Sequence, residues 1–199
     1  MTYDMIIAGV GGQGILSIAA LLGRAALDLN LQLKQSEVHG MAQRGGAVLA
    51  HLRLADGPIH SDLVPRGSAA MILSMEPLET LRYLPWLDPG AGWVVSNAEP
   101  VRNIDSYPDL EAVYAEIRRL PHPFLFNADQ LARDCGAPRA SNMAMLGAAS
   151  SFIPLPAAAL EAAIAAQFAR KGEAVVTSNL AVFRAGRKAS AAREPARSP

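Results

Sequence analysis

The chain begins with an apolar run that gives way to helical spacing. Residues 5–10 are apolar and lead into glycines, as is typical of a buried strand that ends in a tight turn. From Gln13 to Asn30, apolar residues recur at intervals of three or four, which indicates one face of a helix. The pattern therefore predicts a strand, a glycine turn and a helix, in that order.

Strand and helix patterns continue to alternate as far as residue 127. Leu31 and Leu33 indicate a second strand, and the alternation over 48–54 indicates a half-buried third strand before the Asp56-Gly57 turn. Further strands are predicted over 69–74, 93–96 and 124–127, and helices over 76–86 and 110–119. Such alternation predicts an α/β fold that is Rossmann-like, with a mostly parallel sheet and helices on both faces.

Beyond residue 127 the pattern becomes wholly helical. Helices are predicted over 129–134, over 141–152, after Pro156, and over 174–185, where Gly186 ends the last one. This helical C-terminal portion completes a single domain over residues 1–186. The remaining residues, 187–199, are basic and contain alanine, serine and proline without an apolar anchor, so we predict a tail without fixed structure.

The charge balance excludes some classes of partner. Lysine and arginine together number 18, as do aspartate and glutamate, so no overall field favours nucleic acid or an acidic membrane surface. The uncharged stretch 140–160 holds several serines, an asparagine and two prolines, which favours two buried helices with a break over a membrane span. The first residues lack the basic region of a signal peptide, so we expect a cytoplasmic protein.

A single cysteine limits the redox chemistry that this chain can support. Cys135 cannot form an internal disulfide, and an iron–sulfur cluster or a structural zinc site needs several thiolates. We therefore predict no metal site here, and we expect any redox metal to lie on another chain.

The turn after the first strand carries a phosphate-binding pattern. Gly9-Val10-Gly11-Gly12-Gln13-Gly14 has the G-x-G-x-x-G spacing between a strand and a helix, where the helix N-terminus offers unpaired N–H donors. The glycines either approach a phosphate or only let the helix pack closely on the sheet. No acidic residue follows at the end of the second strand to hold a ribose, which argues against NAD. Lys34 at that point leaves NADP or the 3′-phosphate of coenzyme A open, or is simply a solvated lysine.

Residues 35–48 are too polar and glycine-containing for a helix and predict a long loop at the same edge of the sheet. In it, Arg44 followed by Gly45 and Gly46 suits a phosphate or carboxylate, although an intersubunit ion pair or a plain surface position also fits an arginine. His39 is a weak catalytic candidate because Glu37 lies nearby, and a hydrogen bond that fixes the loop is the alternative.

Other polar residues have ordinary explanations. His51 and His60 are interpreted as a strand and a surface histidine. Glu76 before Pro77 either faces a ligand or caps a helix, and Ser141 is a plausible cap for the helix that carries Asn142.

Two motifs in order resemble the gamma-type domain of 2-oxoacid:ferredoxin oxidoreductases, specifically the beta subunits of the indolepyruvate type. They are the glycine loop and the segment Ser36-Glu-Val-His-Gly-Met-Ala-Gln-Arg-Gly-Gly. The resemblance continues through Asp62-Leu-Val-Pro-Arg-Gly-Ser, Ser74-Met-Glu-Pro and Asn142-Met-Ala-Met-Leu-Gly, as far as about Gly186.

The resemblance implies a division of labour between subunits. A large alpha subunit would carry thiamine diphosphate, magnesium and [4Fe-4S] clusters, decarboxylate a small-molecule 2-oxoacid, and pass electrons to ferredoxin. The present chain, inactive alone, would bind coenzyme A at its glycine loop. The implied binding residues are Gly9, Gly11, Gly12, Gln13, Gly14, Lys34, Arg44, Gly45 and Gly46. A stand-alone NADP-dependent reductase and a purely scaffolding subunit remain alternatives.

Overall fold

The computed structural model describes residues 1–39 and 45–191. The strands are β1 Thr2–Val10, β2 Gln32–His39, β3 Ala47–Ala55, β4 Met71–Ser74, β5 Trp93–Asn97 and β6 His122–Phe126. The helices are α1 Ile15–Asp28, α2 Pro77–Arg82, α3 Leu110–Arg118, α4 Ala128–Asp134, α5 Ser141–Ala149, α6 Ala157–Phe168 and α7 Glu173–Ala191, with short 3₁₀ turns at Leu84–Trp86 and Ala169–Lys171.

The strands form one six-stranded sheet in the order β2-β3-β1-β4-β5-β6. The strands β1, β4, β5 and β6 are parallel, and β3 runs antiparallel to both of its neighbours, so β2 points the same way as β1. One face packs under α1 and α4 to α7, and the other under α2, α3 and the turn that holds Trp86. The predicted fold class is therefore confirmed: a mostly parallel sheet lies between two helical layers.

The second strand is longer than the sequence indicated. Residues 35–39 were predicted to begin a loop, but they continue β2 and pair in register with β3, from Gln35 opposite Leu52 to His39 opposite Val48. Because β2 is at the edge of the sheet, its polar side chains reach solvent without interrupting the pairing. The prediction of a long loop was wrong for these residues, and residues 40–44 lie outside the described part of the chain.

The last helix does not end at Gly186. It continues to Ala191, so residues 187–191 are helical where a tail was predicted, and residues 192–199 lie outside the described ranges. Gly186 is buried against α5, and a Cβ atom on it would lie 2.1 Å from the carbonyl oxygen of Ala144. The matching contact on α5 places a Cβ on Gly147 2.0 Å from the carbonyl oxygen of Phe183. The glycine therefore permits two helix backbones to touch, and it does not terminate the helix.

Two polar side chains of β3 hold the segment that follows it. The guanidinium of Arg53 pairs with Asp4 at 2.9 Å and also donates to the carbonyl oxygens of Ser61 and Leu63. The imidazole Nδ1 of His51 accepts a hydrogen bond from the backbone N–H of Val64 at 3.1 Å. Residues 61–64 are thus held next to β3 by hydrogen bonds with two of its side chains.

We expect protonation of His51 to weaken this attachment. Burial lowers the pKa of His51, against an opposing effect of Asp62, and Nδ1 must stay unprotonated to accept from Val64. The unfolded chain takes up the proton first, so the free energy of unfolding should fall as pH drops below about 6.5. Denaturant unfolding at several pH values should show a smaller loss in His51→Asn, which keeps an acceptor and does not titrate. The variant His60→Asn is the exposed control; a wild-type pH dependence in His51→Asn would contradict the assignment.

Candidate functional site

Two glycine segments meet at the carboxyl edge of β1. The N–H of Gly11 donates to the carbonyl oxygen of Gly46 at 2.8 Å, and the side-chain amide of Asn103 donates to the carbonyl oxygen of Gly45. The strand register agrees, because Val10 pairs with Ala47 at the end of the β1–β3 ladder. The structure therefore brings the glycine loop and the Gly45-Gly46 pair together, as their placement in the sequence predicted.

The first helix starts at this edge of the sheet. Its N-cap is Gly14, in the left-handed conformation at φ 81°, and no side chain of the described residues caps it. The first-turn N–H groups of Ile15, Leu16 and Ser17 have no carbonyl partner within the helix, and the first turn holds no acidic residue. The positive end of the helix dipole adds to these donors, so the turn suits an anion such as a phosphate.

Gln13 braces the glycine loop. Its side-chain oxygen accepts from the N–H of Val10 at 2.7 Å, and its amide donates to the carbonyl oxygen of Met75 at 2.9 Å. That carbonyl also accepts from Asn97, which is fully buried and donates to Asp129 at 2.7 Å. These bonds join the ends of β1, β4 and β5, so the described contacts of Gln13 support the shape of the loop.

Of the predicted site residues, two lie away from the glycine loop and a third lies outside the described part of the chain. Lys34 lies in the amino-terminal half of β2 opposite Arg53, and not at the end of the strand as predicted, so it is not brought to the glycine loop. His39 is the last residue of β2. It pairs with Val48 of β3, which in turn pairs with Gly9 of β1, so the backbones of His39 and Gly9 are two strand spacings apart, or roughly 10 Å. Arg44 belongs to the residues that are not described.

The carboxylate of Glu76 accepts hydrogen bonds from other parts of the chain. It caps α2 by accepting from the N–H of Glu79 at 2.9 Å, and it accepts from the hydroxyl of Tyr107 and the N–H of Val101 at 3.3 Å. The side chain is buried, at 1% exposure. The capping interpretation of Glu76 is therefore confirmed.

The start of α5 lies at this edge, where the sequence placed Asn142. Asn142 lies against the glycine loop, so that a Cβ atom on Gly14 would be 2.5 Å from its side-chain nitrogen. The predicted cap at Ser141 was wrong, because the N-cap is Ala140 and no side-chain bond covers the end of the helix. The order of the elements predicted that Asn142 lies near this edge, but the direct contact of its side chain with Gly14 was not predicted.

The donor set of this chain does not suit an iron–sulfur cluster. Cys135 is its single cysteine, and the described residues hold no group of three or more histidines, cysteines, aspartates or glutamates able to bind a metal. Among the described helices, none is both long and apolar enough to cross a membrane.

Solved structures share this fold over almost the whole chain. The gamma subunit of a keto/oxoacid ferredoxin oxidoreductase from Geobacter sulfurreducens superposes with a TM-score of 0.73 at 23% identity, covering 98% of this chain and 99% of that one. A 2-oxoglutarate:ferredoxin oxidoreductase from Magnetococcus marinus, solved with 2-oxoglutarate, coenzyme A and succinyl-CoA bound, gives a TM-score of 0.76 at 21% identity. That match covers 96% of this chain, which spans only 31% of the longer one.

Sequence relatives identify the family. The pyruvate ferredoxin/flavodoxin oxidoreductase family model matches residues 4–189. The indolepyruvate oxidoreductase subunit IorB of Pyrococcus horikoshii is 42% identical over 158 residues, which are 73% of this chain and 75% of the relative. The subunit of the same name from Methanothermobacter thermautotrophicus is 32% identical over 197 residues, 96% of this chain and 99% of the relative. The chain therefore belongs to the pyruvate ferredoxin/flavodoxin oxidoreductase family, as a small subunit of the indolepyruvate oxidoreductase type.

Proposed function

We propose that this small subunit binds coenzyme A at its glycine edge and works with a large alpha subunit that carries thiamine diphosphate, magnesium and [4Fe-4S] clusters. The alpha subunit decarboxylates an aryl 2-oxoacid such as indolepyruvate, the acyl group passes to coenzyme A, and the electrons pass to ferredoxin. We also propose that this complex is cytoplasmic.

One observation carries the assignment of the acyl acceptor to this chain. No side chain of the described residues caps the N-terminus of α1, the first turn of the helix holds no acid, and the Gly45-Gly46 segment lies beside it. An anionic acceptor that carries phosphates suits these donors better than the carbonyl group of the 2-oxoacid does. The roles of Arg44 as a phosphate contact and of His39 as a proton carrier stay predictions of the sequence.

The placement of Lys34 weakens the case for an NADP-dependent reductase. Such an enzyme needs a cation at the end of the second strand to hold the phosphorylated ribose. Lys34 pairs with Arg53 of β3, which in turn pairs with Asp4 of β1. This row of residues lies toward the amino-terminal end of β1, away from the glycine loop. The described part of β2 therefore offers no cation to a nucleotide bound at the glycine loop.

The isolated chain and its complex with the co-expressed alpha subunit provide the test. We expect the purified chain to contain no iron, thiamine diphosphate or flavin, and to reduce no viologen dye with indolepyruvate, because its donor set is too small. Adding the alpha subunit should give activity that depends on coenzyme A. Dye reduction by the chain alone would overturn the assignment, and coenzyme A binding by the alpha subunit alone with unchanged affinity would leave this chain a scaffold.

A further inference from the structure

A second recess lies next to the glycine loop, on the side of the molecule formed by the C-terminal helices. It is a cavity of about 540 Å³ between the first turns of α1, α5 and α7 and the end of α6. Ser17 and Asn142 line its wall toward the glycine loop. Ser17 lies three residues beyond Gly14, or about 4.5 Å along the axis of α1, so the cavity begins within one helical turn of the loop.

The charge of this cavity is one-sided. Arg139 and Lys171 line it, and no aspartate or glutamate is among the described residues that line it. Within the described ranges, neither cation forms an ion pair; the ammonium of Lys171 lies 5.3 Å from the centre of the Phe168 ring. Two cations without carboxylate partners make the cavity attractive to an anion.

Two helix N-termini add to this positive field. The helix α5 begins at the wall of the cavity and has no acidic residue in its first turn, as is also true of α1; neither helix is capped by a side chain of the described residues. The start of α5 and the side chains of Arg139 and Lys171 therefore line one space, next to the first turn of α1. This combination matches the several oxygens of a phosphate group.

The remaining walls suit the organic part of a ligand. The apolar side chains of Phe168, Val175 and Pro138 line the cavity, together with the polar residues Asn179 and Ser178. The volume falls in the range of pockets that hold small-molecule ligands. A bare inorganic ion would leave most of this space unused.

We propose that this cavity binds the phosphate of a phosphorylated adenosine through Arg139 and Lys171. Two sources share that chemistry: the 3′-phosphoadenosine end of a coenzyme A molecule whose pyrophosphate lies at the glycine loop, and a free adenine nucleotide. The first version rests on the proposed function, and the second does not.

Calorimetric titration of the full chain separates these cases. The probes are 3′-phosphoadenosine 5′-phosphate, coenzyme A and dephospho-coenzyme A, and the variant is Arg139→Gln/Lys171→Gln. The matched control is Arg133→Gln/Arg170→Gln, which removes the same charge from two exposed arginines that do not line the cavity. We expect the Kd of 3′-phosphoadenosine 5′-phosphate to rise at least about tenfold in the variant and less than about twofold in the control.

The other probes identify the source. A similar rise for coenzyme A without a rise for dephospho-coenzyme A supports the coenzyme A version, and an unchanged coenzyme A affinity supports a free nucleotide. If coenzyme A does not bind but 3′-phosphoadenosine 5′-phosphate binds through the two cations, the cavity assignment holds and the proposed acceptor role fails. The proposal is overturned if the variant and the control bind 3′-phosphoadenosine 5′-phosphate equally, or if the wild type shows no saturable binding up to about 10 mM.

Discussion

Replacing Gly186 with alanine is expected to lower the free energy of unfolding by roughly 2–4 kcal/mol, or about thirty- to a thousandfold in the folding equilibrium. The added methyl group would lie 2.1 Å from the carbonyl oxygen of Ala144, a backbone atom that no rotamer change can move. The helices must therefore separate, and the reciprocal contact of Gly147 with Phe183 opens with them. Alanine has the higher helix propensity, by about 1 kcal/mol, so the expected loss is opposite in sign to the intrinsic preference.

Denaturant unfolding followed by far-ultraviolet circular dichroism measures this effect. Thr177→Ala is the control, because Thr177 is exposed on the same helix and away from the crossing. It should change the free energy of unfolding by less than about 0.5 kcal/mol. A Gly186→Ala protein as stable as the control would mean that α7 does not pack against α5 at backbone contact.

The reason for misplacing the end of α7 is physical. Glycine is common just after a helix because it adopts the left-handed conformation, and the sequence around Gly186 fits that pattern. It is equally useful inside a helix where another backbone approaches, and that use depends on Ala144, which is 42 positions away in the chain. A local pattern contains no information about the distant helix, so the two uses look the same.

The length of β2 was hidden for a different reason. Apolar runs and apolar alternation identify strands that bury one or both faces, and they located β1, β3 and β5 to within three residues. Ser36 and Glu37 do not follow such alternation, since an edge strand obtains its order from backbone pairing with β3. The polar composition therefore resembled a loop, although the register with β3 is unbroken as far as His39.

The candidate site was predictable where its parts are contiguous. The glycine loop lies between a clear strand and a clear helix, so its position at the edge of the sheet followed from the order of the elements. The brace between Gln13 and Asn97 joins the glycine loop to the end of β5 through the carbonyl oxygen of Met75. The cavity that holds Arg139 and Lys171 is assembled in the same way from four separate segments. Neither arrangement leaves a spacing pattern that a single sequence would reveal.

The variant Gly14→Ala should raise the apparent KM for coenzyme A in the reconstituted complex roughly ten- to a hundredfold. Two causes add: the left-handed conformation costs alanine about 1–2 kcal/mol, and the new methyl group would lie 2.5 Å from the side-chain nitrogen of Asn142. Either the loop or the start of α5 must shift, which displaces the N–H donors of α1. Decarboxylation of the 2-oxoacid should be nearly unchanged, because the proposed complex carries out that step on the alpha subunit.

A double-variant cycle with Asn142→Ala separates these two causes. Removing the Asn142 side chain eliminates the clash and leaves the backbone cost, so Gly14→Ala should raise the KM for coenzyme A less in the Asn142→Ala background than in the wild type. The measurements are steady-state turnover against coenzyme A concentration and, separately, the release of carbon dioxide in a single turnover without coenzyme A. A Gly14→Ala complex with normal coenzyme A dependence would show that the acceptor binds elsewhere, whereas equal loss of both reactions would show that the glycine loop supports assembly with the alpha subunit.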